Sequence, residues 1–133
     1  MSKYIKDISG ETPDIETYLY VKDYISKYQL NIDINSKPLK AQVIEINTLL
    51  KFHDNSESKK KSLFEITYST VIKLDKEVKD KNVLQKIVLC DVPKEVYPEM
   101  EKALLNLLHT SGYPEIKFEK KVDFEELYKK NFN

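Results

Sequence analysis

Cys90, His53 and His109 are the residues of this chain whose types could carry nucleophilic or metal chemistry. A catalytic thiolate needs a base within hydrogen-bond reach. A zinc site needs three or four ligands, usually at close spacing. One cysteine and two widely separated histidines supply neither pattern. Cys90 sits in the apolar run IVLC and reads as a small core residue. His53 falls on the polar parity of an alternating segment. His109 falls near the end of a helical pattern, where a cation complements the helix dipole. Two glycines leave no glycine-rich phosphate loop. These residues predict no catalytic group, no metal and no cofactor. A Cys90–histidine pair is the sole support for an enzyme.

Charge narrows the partners. The chain has 22 basic and 22 acidic residues, and every basic one is lysine. Arginine is the side chain best suited to bidentate phosphate and guanine contacts. Its absence, with no net charge, argues against a nucleic-acid binder. No run approaches the ~18 apolar residues of a membrane span. The opening MSKYIKDIS lacks the apolar centre of a secretory signal, which predicts a cytoplasmic protein with no membrane insertion.

What the chain does have is aromatic surface. Nine tyrosines and five phenylalanines accompany no tryptophan. Tyrosine offers contact area at low entropy cost and tolerates a wet edge. Two readings follow: an ordinary core with a helix-packing seam, or a surface that binds polypeptide.

Period-2 alternation defines the elements that position these side chains. Tyr28, Leu30, Ile32 and Ile34 share one parity, as do Ile44, Ile46, Leu50 and Phe52, and Phe64, Ile66, Tyr68, Ile72 and Leu74. The links NSKP and HDNSESKKK suit turns, so these strands pair antiparallel. A shorter strand opens the chain, with Tyr4, Lys6 and Ile8 on one face and Ile5, Asp7, Ser9 and Glu11 on the other. Gly10 there suits a bulge or turn. TPDIETYLYVKDYISK, before Tyr28, fits either a helical turn or an aromatic crossover loop.

Beyond Asp75 the period changes. Met100, Ala103, Leu104, Leu107 and Leu108 fall at helical spacing. Pro93 or Pro98 suits the first turn, and Gly112 suits a position just past the end. VLQKIVLC is ambiguous between helix and strand. Asp123 and Glu126 have capping-box spacing for a short terminal helix. Four strands followed by one long and one short helix make an α+β, two-layer domain spanning residues 1–133.

Two stretches carry a family resemblance. YIKDISGETP, residues 4–13, resembles the opening strand of the SecB export chaperones, with its Tyr-x-Lys-Asp-Ile-Ser-x-Glu-x-Pro pattern. VPKEVYPEMEKALLNLLHTSGYPEIKFEKKVDFEEL, residues 92–127, resembles that family's helix, Gly-aromatic-Pro tether and Asp-Phe-x-x-Leu helix. The resemblance implies a four-stranded antiparallel sheet with a crossover loop. It implies a homotetramer, a dimer of dimers with the long helices packed centrally. It implies an ATP-independent holdase that binds unfolded preprotein clients and passes them to the SecA ATPase. The SecA-binding carboxylates of the family align with Asp7, Glu11 and Glu65. Client-binding candidates are the crossover aromatics Tyr18, Tyr20 and Tyr24 and the tether aromatics Tyr113 and Phe118. The chain departs from the family in its neutral charge, in TYSTV at residues 67–71, and in Glu101 where an arginine is usual. An antitoxin chaperone, and a non-chaperone adaptor with one fixed partner, remain the alternatives.

Overall fold

The structure is a computed structural model, and it describes residues 2–54, 61–74, 80–118 and 122–132. Four strands, β1 (Ser2–Glu11), β2 (Gln29–Pro38), β3 (Val43–His53) and β4 (Leu63–Lys73), form one antiparallel sheet in the order β1-β4-β3-β2. The register follows the alternation. Leu30 faces Phe52 and Phe52 faces Phe64, while Ile32 faces Leu50 and Leu50 faces Ile66. These pairs line the side covered by helices. Phe64, Ile66, Leu50 and Ile46 are fully buried there. Burying such a side chain contributes about 1.5–3 kcal/mol.

Two sequence expectations about the strands need correction. β1 does not keep its parity. The register shifts between Ile5 and Asp7, so Ile5 faces Tyr68 and Ile8 faces Ile66, both on the helix side. The bulge therefore lies at Lys6, and Gly10 has a different task. A Cβ on Gly10 would lie 2.9 Å from Phe64 Cδ1 and 3.4 Å from Leu107 Cδ2, so its bare backbone admits the covering helix. NSKP is not a turn. It belongs to β2, an edge strand on which Pro38 leaves no donor missing from a central ladder. The reversal comes after it, closed by the Leu39 N–H donating to the Val43 carbonyl at 2.7 Å. Most of HDNSESKKK lies outside the described residues.

The crossover between β1 and β2 folds as helix α1 (Ile15–Tyr24), followed by a single tight turn at Ile25–Lys27. Asp14 caps α1, accepting from the Thr17 N–H at 2.7 Å. Thr17 and Val21 of α1, continued by Ile25 in the turn, are spaced four residues apart and form one buried stripe. The ambiguous VLQKIVLC is helical. α2 (Lys81–Lys86) passes through a π-helical turn at Ile87–Asp91 into α3 (Val92–Thr110). Pro93 has no N–H for the carbonyl of Leu89, and the Val92 N–H reaches back to Ile87, so the chain widens into a π turn instead of breaking. Pro93 lies in the first turn of α3, as its missing N–H allows, and Pro98 lies inside the helix.

Met100, Leu104 and Leu108 of α3 are fully buried against the sheet. Past its end, the Gly112 N–H reaches the His109 carbonyl and the Tyr113 N–H reaches Leu108. That is a Schellman stop, with Gly112 at φ +109°. Terminal helix α4 (Phe124–Phe132) begins as its spacing predicts, with the Glu126 N–H on the Asp123 carboxylate at 3.1 Å.

Candidate functional site

α1 and the segment after α3 form the two walls of an aromatic cleft. The Tyr18 and Tyr113 rings lie 5.5 Å apart, and the Tyr18 hydroxyl donates to the Gly112 carbonyl at 3.0 Å. Tyr113 is buried, with its ring edge-on to Phe64 at 5.8 Å. Phe118 packs edge-on against Phe52 at 5.5 Å, and Phe52 touches Tyr28 at 5.4 Å. Burial pushes the Tyr28 hydroxyl pKa up, and that oxygen accepts from the Ser62 N–H at 3.1 Å. The rings thus form two runs, Tyr18–Tyr113–Phe64 and Phe118–Phe52–Tyr28, which meet where Phe52 faces Phe64 across β3 and β4.

Two openings interrupt these runs. One, of about 510 Å³, is lined by Ile25, Tyr28, Leu30, Phe52, Ile116 and Phe118 among others. The second, of about 360 Å³, lies between Tyr18 and Lys22 on one side and Gly112–Ile116 on the other. Glu115 and Ile116 border both. Of the five aromatic candidates, Tyr18, Tyr113 and Phe118 border these openings. Tyr113 is floor, since its side chain is almost wholly covered. Tyr20 and Tyr24 border neither opening. They pair with each other at 4.7 Å on α1, with Lys27 Nζ 5.3 Å from the Tyr24 ring centre. Sequence reasoning missed Ile25, Leu30, Phe52 and Ile116. Strand parity marks Leu30 and Phe52 as core and cannot show that the covering layer stops short of them, while Ile25 and Ile116 lie outside the strands and carry no such mark.

The other face of the sheet carries the carboxylates. Asp7 faces Thr67, Ser9 faces Glu65 and Glu11 faces Leu63. Glu65 therefore sits on β4 between Asp7 and Glu11 of the neighbouring strand. Lys51 on β3 approaches Glu65 at 3.7 Å. Further along, Lys6 leaves the β1 bulge and crosses β4 to reach Glu45 on β3 at 3.0 Å, and Ser69 donates to the same oxygen at 3.1 Å. The hydrogen bond from Lys6, followed by that from Ser69, holds the Glu45 carboxyl below its ordinary pKa. Among the sheet glutamates, Glu65 thus has the longer and weaker ion pair.

The residues suited to bond-making chemistry are not brought together. Cys90 is fully buried in the π turn, and burial pushes its thiol pKa up, away from the nucleophilic thiolate. His53 contacts the Asn31 amide at 2.6 Å on the outer sheet face. His109, at the end of α3, contacts the Ile116 carbonyl at 3.0 Å. Among the described residues no group of His, Cys, Asp and Glu could hold a metal ion, and no helix is long and apolar enough to cross a membrane.

Comparison with known proteins agrees with this arrangement. The family described as "Preprotein translocase subunit SecB" matches residues 1–133. The putative protein-export protein SecB of Pelagibacter ubique is 57% identical over 133 residues, covering 100% of this chain and 95% of the relative. The protein-export protein SecB of Methylocella silvestris is 22% identical over 137 residues, covering 100% of this chain and 81% of the relative. Among solved structures, the SecB-like chaperone of Mycobacterium tuberculosis, in complex with a ChAD peptide from the HigA1 antitoxin, superposes with a TM-score of 0.59 at 10% identity. That match covers 91% of this chain and 88% of the other, and it establishes a shared fold. With its whole length matched, its four-stranded sheet in place and its helices on one face, the chain belongs to the SecB family of protein-export chaperones.

Proposed function

We propose that this protein is an ATP-independent holdase of the cytoplasm. It binds unfolded preproteins in the cleft between α1 and the segment 112–118 and presents them to SecA. The supporting observation is the cleft itself: a row of aromatic and aliphatic side chains open to solvent. Such a surface binds by burial and adapts to many sequences. Each client aromatic or aliphatic side chain that enters contributes about 1.5–3 kcal/mol before ordering costs. Affinity then accumulates over several weak sites on one long client.

The SecA contact is assigned to Asp7, Glu11 and Glu65, which share a corner of the outer sheet face, remote from the covered one. Client and ATPase then use opposite sides of the sheet. Assembly as a homotetramer fits the exposed β1 edge, where Tyr4, Ile5 and Ile8 are each more than 40% accessible in the single chain. An unpaired strand edge with apolar side chains is a template for a second copy.

Titrating the protein with reduced, carboxymethylated α-lactalbumin, a permanently unfolded chain, tests the reading. Saturable binding without nucleotide is expected. Capture of a single native partner with no binding of unfolded chains would favour an antitoxin chaperone or a fixed-partner adaptor.

A further inference from the structure

α4 lies on an apolar seat that continues the client cleft. Alternate residues of β2 point to the helix side, and they pass from one site to the next. Leu30 borders the cleft; Ile32 and Ile34, the next two on that side, lie beneath α4 together with Leu89. Phe118 is shared in the same way, bordering the cleft and also the space along α3 that Phe124 and Val122 close. An extended segment leaving the cleft along β2 would run into α4.

The fit of α4 to this seat is loose. Phe124 is its one buried residue among those whose side chains are described, edge-on to Tyr97 at 5.5 Å. Leu127 remains 41% exposed and Tyr128 is half-buried. Ile32 and Ile34 are half-buried with α4 in place. Open space remains on both sides of Phe124, about 610 Å³ towards α3 and about 200 Å³ towards β2. Polar ties at the surface include Lys94 to Glu125 at 3.1 Å and the Tyr128 hydroxyl to the Asn82 carbonyl at 3.3 Å. A nine-residue helix does not hold its fold in water without a surface to pack on. α4 is therefore helical where it is docked, and leaving the seat costs it its structure.

We infer that α4 occupies the seat as an internal stand-in for client, and that an unfolded segment carrying apolar side chains displaces it. The motif is the same on both sides of the exchange. Phe124, Leu127 and Tyr128 present an aromatic, an aliphatic and an aromatic group to β2, as a client segment would. A filled seat shields Ile32, Ile34 and Leu89 from water and from other copies until a client competes. This inference rests on the holdase reading and names the regulation of that site.

The test compares full-length protein with Phe124→Ser and with a chain ending at Val122, each checked for native circular dichroism. The probe is reduced, carboxymethylated α-lactalbumin, and the readout is its dissociation constant. If α4 fills the seat about nine-tenths of the time, emptying it tightens binding about tenfold. Hydrogen exchange on the full-length protein gives a second readout that needs no variant: the α4 amides exchange faster at saturating probe. Equal or weaker binding by natively folded variants, or α4 amides that slow or stay unchanged, would overturn the inference while leaving the holdase reading intact. Failure of every form to bind the probe would overturn both.

Discussion

The Tyr18 hydroxyl donates to the carbonyl of Gly112 at 3.0 Å, and this bond ties α1 to the segment after α3. The two residues are also in steric contact. Gly112 has φ +109°, and a Cβ there would lie 2.7 Å from Tyr18 Cε2. The backbone at 112 is thus glycine-only for two independent reasons, its dihedral and its neighbour.

Gly112→Ala should destabilise the protein by at least about 1 kcal/mol from the dihedral alone. Displacement of Tyr18 should add to that. Tyr18→Phe keeps the ring and loses the bond, which should cost about 0.5–1.5 kcal/mol. Urea unfolding of the two variants checks the order. A Gly112→Ala protein as stable as wild type would mean that α1 and the tether are not joined here.

The β2–β3 turn predicts a change of opposite sign. Ala41 and Gln42 hold φ of 61° and 65°, the left-handed region that suits glycine. Ala41→Gly should relieve about 1 kcal/mol of that strain, partly offset by the greater freedom of glycine in the unfolded chain. The midpoint of urea unfolding should hold or rise. A marked fall would contradict the turn geometry.

Acid and alkali should each weaken one contact between the sheet and α3. Glu99 accepts from Tyr68 at 2.7 Å and from Lys3 at 2.9 Å, and these two bonds, Tyr68 first, hold its carboxyl below 4.5. A depressed carboxyl stabilises the fold above its unfolded pKa and loses that contribution as the pH falls through the folded one. Burial, then the bond to Glu99, pushes Tyr68 up to about 12 from 10.0. Its contribution is complete below pH 10.0 and is lost as the pH rises through about 12. The stability gap between wild type and Glu99→Gln should therefore close below pH 4.5. Between pH 10 and 12 Tyr68→Phe should lose less stability than wild type, the remaining loss coming from other buried tyrosines such as Tyr28, which burial also raises. Gaps independent of pH would exclude this linkage.

On the outer face, Glu65→Lys should weaken SecA binding and leave client binding unchanged. Asp7 and Glu11 are exposed and Glu65 is half-buried, and attraction from such surface carboxylates is screened by salt, so wild-type affinity for SecA should fall as ionic strength rises. Lys51→Gln, which frees Glu65 from its 3.7 Å partner, should act in the opposite direction. Isothermal titration of the three proteins against SecA decides. Equal affinity for Glu65→Lys would leave these carboxylates as ordinary surface charges.

Much of this architecture was legible in the residues. The alternation of β2, β3 and β4 assigned their buried faces, because one face of each meets helices and the other water. Gly112 and Asp123 marked a helix end and a helix start, because their backbone and side-chain roles are local. β1 was not legible in the same way. The bulge at Lys6 reverses the parity of half the strand, and a bulge without glycine leaves no compositional mark. The start of the long helix was obscured by Pro93, whose missing donor the chain absorbs in a π turn. The aromatic residues pointed to the cleft in outline. Tyr113 proved to be its floor, and Tyr20 and Tyr24 lie apart from its openings, since distances across the cleft depend on how α1 docks.

A holdase shows itself in suppression of aggregation. An unfolded substrate diluted from denaturant would be followed by light scattering without ATP. Wild type would be compared with a natively folded Tyr18→Ser, Phe118→Ser double variant. Wild type should suppress scattering for several unrelated substrates, and the double variant should protect markedly less. Protection by the variant equal to that of wild type would place the client site elsewhere, and failure of wild type across all substrates would contradict a holdase.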